Sequence, residues 1–445
     1  MRITWRGAEL SLLLPILLLV PLGFVITNIA LTQSFEPGPL HLALGYVALI
    51  VGAHLVLVAF GHRGDQLLLP AVAAMGGIGL IMLNRLPQDL AGTAAFGLEL
   101  GMAATQLLWF GVGTVVMLVI AIGLRDDGVL RHYKYTWAAV GIGLLAATLL
   151  FGYEVNGARL WIDLGPVSVQ PGELLKIVLV VFLASYLAET RTLLTDARMR
   201  IGFLAIPPLP YFLPMLVLFG AVMLIAVALN DLGTALLFFG TFLTMLFVAT
   251  GRRSYVLIGL VLFVAGAFVA YQLFGHVQLR VEVWLDPFAD PLGAGFQPVR
   301  AIYAFGRGGI FGEGLGQGLV TLGGNLTIPY VHTDFIFTAI AEELGLLGAF
   351  ALLGFCAVLV FRGLRIAALA RDDFSGLLAV GLTASLGLQT LIIIAGNTKL
   401  IPLTGITLPF VSYGGSSVLA SFMMIGILLS ISHRSAVGAD DEASK

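Results

Sequence analysis

The sequence predicts an all-α, polytopic integral membrane protein with about twelve transmembrane helices and one long extracytoplasmic loop, and three observations predict it. Of 445 residues, 59% are hydrophobic and only 11% are charged, and the mean hydropathy of +1.02 is far above that of a soluble globular domain. Apolar runs of about 20 residues, enough to span a bilayer, recur along the chain. The cations are distributed unevenly across the joints between those runs, as the positive-inside rule requires.

Taken in order, the runs cover residues 9–32, 40–61, 65–83, 101–124, 135–152, 171–189, 207–229, 231–251, 255–275, 334–361, 375–396 and 407–432. The start, MRITWRGAEL, is basic and leads into an apolar stretch as a signal peptide would. That stretch runs past Phe24 to Ala30 without a clear small-x-small cleavage site, so a retained first span is expected. With the N-terminus inside, the joints on the cytoplasmic side hold Arg2, Arg6, Arg63, Arg125, Arg131, Lys134, Arg191, Arg198, Arg200, Arg252, Arg253, Arg362, Arg365, Arg371, Arg434 and Lys445, which is 16 of the 23 cations. An even number of spans with both termini cytoplasmic is therefore self-consistent. No soluble domain or Pro/Ser-rich linker interrupts the pattern, so residues 1–445 are expected to form a single membrane domain. The two larger outward connections are Tyr153 to Gln170 and His276 to Thr333; the second is long enough to expect a functional role.

Composition also excludes. The net charge is -2 with no block of like charges, so nothing suggests nucleic acid or a polybasic membrane tether. The single cysteine, Cys356, rules out an intrachain disulfide and reads as a small buried hydrophobe. No nucleotide-binding loop is visible, since FGRGGIFGEGLGQG (Phe305 to Gly318) matches neither a Walker A nor a GxGxxG pattern. Its glycines permit tight turns or close backbone approach to a bulky ligand.

Seven cations lie against the topological grain: Arg85, Arg159, Lys176, Arg280, Arg300, Arg307 and Lys399. Each has a bland reading as the partner of a nearby acid. As a set, those on the outer loops suit a phosphate or pyrophosphate at the outer leaflet. Glu173 and Lys176 are three residues apart at a helix start and so share a face. They are either an intramembrane ion pair serving packing or a contact for a polar substrate in a hydrated cavity. Asp231 in LNDLGTA reads as the cap of the next helix. SYGGSS (Ser412 to Ser417) reads as close helix packing or as ligand contact. Asp334 follows the long outer loop, beside His332 and Thr333, with Glu342 and Glu343 two helical turns further in. It is either a helix-start acid favoured by the macrodipole or a half-buried general base; local physics does not choose between them.

Five stretches together resemble the SEDS family (shape, elongation, division and sporulation), whose members include RodA and FtsW: GARLWIDLGPVSVQPGELLKI, DLGTALL, GFQPVRAIYAFGRGGIFGEGLGQG, PYVHTDFIFTAIAEELGLLG and PLTGITLPFVSYGGSS. They occur in the family's order between about residues 156 and 434. The family usually has ten spans, so twelve implies two extra on the N-terminal side or an overcount. The resemblance implies a peptidoglycan glycosyltransferase that polymerises lipid II, the undecaprenyl-pyrophosphate disaccharide-pentapeptide, outside the cytoplasmic membrane. It places the key acid at Asp334 as general base. Its matching basic positions are Arg159 and Lys176; with the polar groups singled out along the chain, the expected substrate-binding set is Arg159, Glu173, Lys176, Arg280, His332, Thr333, Glu343 and Ser412, with no metal ligand assigned. No cofactor is required, although a divalent cation (Mg or Mn) sharing the pyrophosphate clamp stays open. The usual partner is a class B penicillin-binding protein, a single-span transpeptidase.

The sequence departs from the family pattern in places. QPD reads Leu229-Asn230-Asp231, QPSE reads Gln170-Pro171-Gly172-Glu173, and a Lys and an acid carried by FtsW-like members are Thr404 and Leu326. These differences lean towards a RodA-like role. Two other classes remain: a lipid II flippase, which would need polar groups along the whole path where these cluster in the outer half, and a scaffold that only recruits a transpeptidase.

Overall fold

The computed structural model describes residues 6–34, 40–87, 94–95, 98–124, 126, 128–155, 158–165, 167–195, 199–201, 204–206, 209–322 and 325–443. Its helices are α1 (Gly7–Thr32), α2 (Leu40–Ala59), α3 (Leu68–Arg85), α4 (Met102–Gly123), α5 (Gly128–His132), α6 (Lys134–Phe151), α7 (Pro171–Thr195), α8 (Leu209–Ala228), α9 (Leu232–Thr250), α10 (Arg253–Leu273), α11 (Gly275–Leu285), α12 (Phe296–Gly308), α13 (Ile336–Ala368), α14 (Asp373–Asn397) and α15 (Gly415–Ala443). Among the described residues twelve of these are long and apolar enough to cross a membrane. They coincide with the twelve expected runs; α5, α11 and α12 are the short ones between.

A helix that is apolar on every side cannot be sorted by its own periodicity. Burial sorts them instead. α3, α7, α9, α14 and α15 are enclosed over most of their spans, whereas α10 buries only Tyr255 at its start and α6 and α8 bury few of their side chains. One contiguous core of buried side chains runs from Leu13 to Ile431. Between apolar helices in lipid there is little hydrophobic driving force, so close approach of backbones matters more. At Gly79 of α3 a Cβ would lie 2.6 Å from the Val411 carbonyl oxygen, so only glycine admits the loop that leads into α15.

Among the described residues, the two larger connections hold short elements of their own. Strands Tyr153–Val155, Ala158–Asp163 and Ser168–Val169 pair antiparallel and deliver the chain to α7. The long loop holds α11, a 3-10 turn at Pro287–Ala289, and α12, which is amphipathic and turns Val299, Ala301 and Ala304 inwards.

α1 and α2 are fixed to the rest by a buried polar knot. The Arg6 guanidinium, 2% exposed, donates to Glu9 (2.5 Å) and to the carbonyls of His62 (2.8 Å), Gly64 (3.1 Å) and Asp65 (2.6 Å). Glu9 also meets His54 Nδ1 at 2.7 Å, and the Asp65 carboxylate takes Arg362 Nε of α13 at 2.6 Å. Ions at such depth persist when paired and hydrogen-bonded.

α13 is broken. Gly345 has φ 66 and ψ -168, so the amides of Leu346 and Leu347 cannot reach the carbonyls of Glu342 and Glu343 four residues earlier. They are accepted instead by the carbonyls of Gly309 (3.0 Å) and Ile310 (3.2 Å), while Glu342 O and Glu343 O accept from the amides of Glu313 (3.0 Å) and Gly314 (2.9 Å). The glycine-rich loop thus completes the helix ladder from outside, which satisfies backbone that lipid could not. A Cβ at Gly312 would stand 2.2 Å from Glu343 O. The glycines expected to allow turns or ligand approach permit this backbone contact.

Candidate functional site

The turn Tyr330–Phe335 precedes α13 and is held through three consecutive carbonyls. His332 O accepts from the Tyr413 amide (2.8 Å), Thr333 O from Ser412 Oγ (2.6 Å), and Asp334 O from Asn397 Nδ2 (2.8 Å). Asn397 in turn accepts from Thr338 Oγ1 at 2.8 Å, and Gln106 of α4 braces the other strand by donating to Ser412 O (3.0 Å) and accepting from the Gly414 amide (3.2 Å). Main-chain pinning leaves the side chains at liberty, and that matters for Asp334.

The Asp334 carboxylate does not cap α13: the cap position is Phe335 and no side chain accepts there. It has no ion pair within 4.0 Å among the described residues. Burial pushes its pKa up to about 6, against a hydrogen bond from Thr333 and the charge of Arg280, both of which lower it. Asp334 thus stands at the start of α13 without making its capping hydrogen bond, and burial raises the pKa of its carboxylate to about 6. By contrast, Asp231 is the N-cap of α9, accepting from Thr234 N at 3.0 Å, as expected.

Arg280, from α11, sits between these two acids. Burial lowers its pKa, and the charges of Asp231 and Asp334 oppose that shift. Its Nη1 is 3.3 Å from Leu403 O and 3.5 Å from Thr404 O. His332 is held neutral at pH 7 by burial, which lowers its pKa, and its Nδ1 has no hydrogen-bond partner; its ring lies edge-on to Tyr413 with centroids 5.9 Å apart.

Lys176 meets Glu173 at 2.5 Å and donates to Gln389 Oε1 at 2.7 Å. Gln389 Nε2 donates to Thr407 O (2.8 Å), and Thr407 Oγ1 meets Ser417 Oγ at 2.6 Å. The ion pair is thus wired by hydrogen bonds into the segment 407–417 that also pins the Asp334 turn. The structure brings Glu173, Lys176, Arg280, His332, Thr333, Asp334 and Ser412 into one connected neighbourhood. A cavity between α6, α7, α8 and α9 is lined by Leu145, Leu175, Leu229 and Phe238 together with Gln170 and Asp231.

Three expected contacts are placed differently. Ser412 is 2% exposed and its hydroxyl donates to Thr333 O and accepts from the Leu408 amide at 2.9 Å, so it positions the turn. Glu343 is 1% exposed; its carboxylate is paired with Arg85 and accepts from the Gly316 amide at 2.8 Å, which makes it a clamp on the glycine-rich loop. Arg159 is exposed on the strand hairpin opposite Glu154, outside the hydrogen-bonded neighbourhood.

Sequence reasoning missed Gln106, Gln389 and Asn397, although amides inside apolar spans are a readable signal: Gln389 and Asn397 are eight residues apart on one face of α14. Among the described residues no group of three or more His, Cys, Asp or Glu gathers as metal ligands.

The model of the cell cycle protein family that covers FtsW, RodA and SpoVE matches residues 65–437. That match begins after α2, so α1 and α2 lie outside it. The chain is 40% identical over 433 residues to the peptidoglycan glycosyltransferase RodA of Mycobacterium tuberculosis, covering 97% of this chain and 91% of that one. It is 37% identical over 337 residues to stage V sporulation protein E of Bacillus subtilis, covering 75% and 87%. A probable peptidoglycan glycosyltransferase FtsW of Halothiobacillus neapolitanus is 34% identical over 395 residues, covering 85% and 88%. Among solved structures, a chain studied for structural coordination of polymerization and crosslinking by a peptidoglycan synthase complex superposes with a TM-score of 0.66 at 28% identity, covering 84% of this chain and 98% of that one. The rod shape determining protein RodA of Thermus thermophilus does so with 0.54 at 26%, covering 84% and 97%.

Proposed function

We propose a mechanism from one premise: the chain belongs to the FtsW, RodA and SpoVE family of cell cycle proteins, on the RodA-like side, and it is a peptidoglycan glycosyltransferase. The substrate is lipid II, polymerised at the outer face of the cytoplasmic membrane, with both termini cytoplasmic. Residues 1–445 act as a single membrane domain, with the loop 276–333 over the site.

The reaction joins an acceptor sugar hydroxyl to the anomeric carbon of a lipid-linked glycan. The new C–O bond forms as the bond to the lipid pyrophosphate breaks, and the hydroxyl proton must go to a base. Asp334 takes that proton. A carboxylate with pKa about 6 is largely ionised at pH 7, yet basic enough to share a proton in the transition state. The observation that carries this reading is the unpaired Asp334 carboxylate on a backbone pinned at three consecutive carbonyls.

Arg280 supports it as the cation nearest the base, suited to charge that grows on the departing pyrophosphate. Lys176, held by Glu173 and Gln389, supplies a second fixed charge, and Arg159 on the exposed hairpin meets the substrate before it enters. His332 offers a neutral ring nitrogen and Thr333 a hydroxyl to the sugar or to Asp334. A divalent cation, Mg or Mn, would be carried mainly by pyrophosphate oxygens; chelation during turnover tests this. A class B penicillin-binding protein is the expected partner, and co-purification in detergent tests it.

The deciding experiment is polymerisation of purified lipid II by the reconstituted protein beside its Asp334→Asn variant, with and without that partner. Glycan strands from the wild type alone support the reading. A wild type that makes none while moving labelled lipid II across liposomes supports a flippase instead.

A further inference from the structure

The helix break at Gly345 has a mechanical consequence. Upstream of it, Ile336–Leu344 is a separate helix of about 13 Å by its length in residues, short enough to move as one body. Its near end carries the Asp334 turn. Its far end carries Glu342 and Glu343, and each is held by an arginine from another element. Arg307 of α12 places Nη2 2.6 Å and Nε 2.8 Å from Glu342 Oε1, which also accepts from the Leu319 amide at 2.8 Å. Arg85 of α3 pairs with Glu343 and donates to the Gly318 carbonyl. Four backbone bonds to residues 309–314 replace the two helix rungs lost at the break. The far end is therefore fixed to α3 and α12 by its two ion pairs, and the loop 309–314 bonds to both sides of the break.

We propose that Arg85 and Arg307 are positioning residues for Asp334, fixing the far end of the short helix whose near end presents that carboxylate. This rests on the reading of Asp334 as the base. A rigid helix held at both ends has a set rotation and height, so releasing the far end lets the carboxylate shift relative to the acceptor hydroxyl. Displacements of about 1 Å at a reacting group cost on the order of a hundredfold in rate; partial release should cost less. α12 belongs to the long outer loop, so the ion pair Arg307–Glu342 also makes the setting of Asp334 depend on the position of that loop.

The test uses the full chain in proteoliposomes with lipid II, comparing wild type, Arg307→Gln, Arg307→Lys, the charge-free double variant Arg307→Gln/Glu342→Gln, and Asp334→Asn. Because Arg307 is about one-third exposed and the double variant leaves no unpaired charge, folding should survive; thermal unfolding in detergent verifies the folded fraction. The expected result is a kcat about tenfold lower per folded molecule in Arg307→Gln and in the double variant. KM should be nearly unchanged, the acidic limb of the pH–rate profile displaced, and Arg307→Lys partly restored. A kcat and pH profile equal to wild type in the double variant would overturn the proposal, as would a loss that merely tracks the folded fraction. Full activity in Asp334→Asn would instead sink the reading of the base, whatever the arginine variants do.

Discussion

The two ends of the short helix Ile336–Leu344 use the same functional group in opposite ways. At the far end Glu342 and Glu343 are buried and each is paired with an arginine and accepts from a loop amide. At the near end, Asp334 keeps a carboxylate with no ion pair within 4.0 Å among the described residues, while its carbonyl and those of its two predecessors are pinned. An acid paired in this way is structural: its charge is compensated by the arginine beside it. An acid on a turn pinned through its backbone, with no ion pair on its carboxylate, is available for chemistry, because its position is set and no arginine pairs its charge. Acids at the two ends of one short helix are thus distinguished by what holds them, and proximity in sequence says little.

The largest test of that contrast is at the free end. Asp334→Asn should lower polymerisation of lipid II by about 10²–10⁴-fold, the usual worth of a general base, while KM and the folded fraction stay close to wild type. Glu343→Gln should do the reverse, leaving Arg85 as an uncompensated buried charge and destabilising the protein by about 3–5 kcal/mol. Unfolding in detergent reads this, and Arg85→Met/Glu343→Met should recover most of it. A Glu343→Gln protein as stable as wild type would erase the contrast.

pH sharpens the comparison further. As a base Asp334 must be ionised, so kcat/KM should rise with pH through about 6 and then level off. Stability should run the other way: a carboxyl whose pKa is raised on folding favours the folded state at low pH, and that contribution is lost as pH rises through about 6. Asp334→Asn should therefore be more stable than wild type at pH 8, with the gain vanishing as pH falls below the ordinary carboxylate range.

Smaller effects belong to the supports. Ser412→Ala leaves Thr333 O and the Leu408 amide without their partner, at a cost of about 1–3 kcal/mol, and should lower kcat severalfold as the turn loosens. Arg159→Ala, on the exposed hairpin, should raise KM by no more than severalfold and leave kcat alone. Initial rates over a range of lipid II concentrations separate the two.

Much of this was legible from the residues. The twelve spans followed from run length, since bilayer thickness sets helix length regardless of packing, and Asp334, Arg280 and the Glu173–Lys176 pair stood out as charges in an apolar chain. Ser412 and Glu343 were expected at the substrate and proved to be supports. Their roles depend on which donors arrive from α3, the glycine-rich loop and the segment 407–417, all distant in sequence. Gln106, Gln389 and Asn397 were visible as intramembrane amides, but their partners were not.

The sequence by itself determined the membrane class, the spans and the set of charged groups that chemistry must draw on, because each follows from local composition and the cost of polar groups in lipid. Only the tertiary structure decided which carboxylates are compensated and which is free. That depends on a glycine-permitted break in α13, a loop that supplies the missing rungs, and arginines delivered from α3 and α12, and no local pattern encodes where those elements meet.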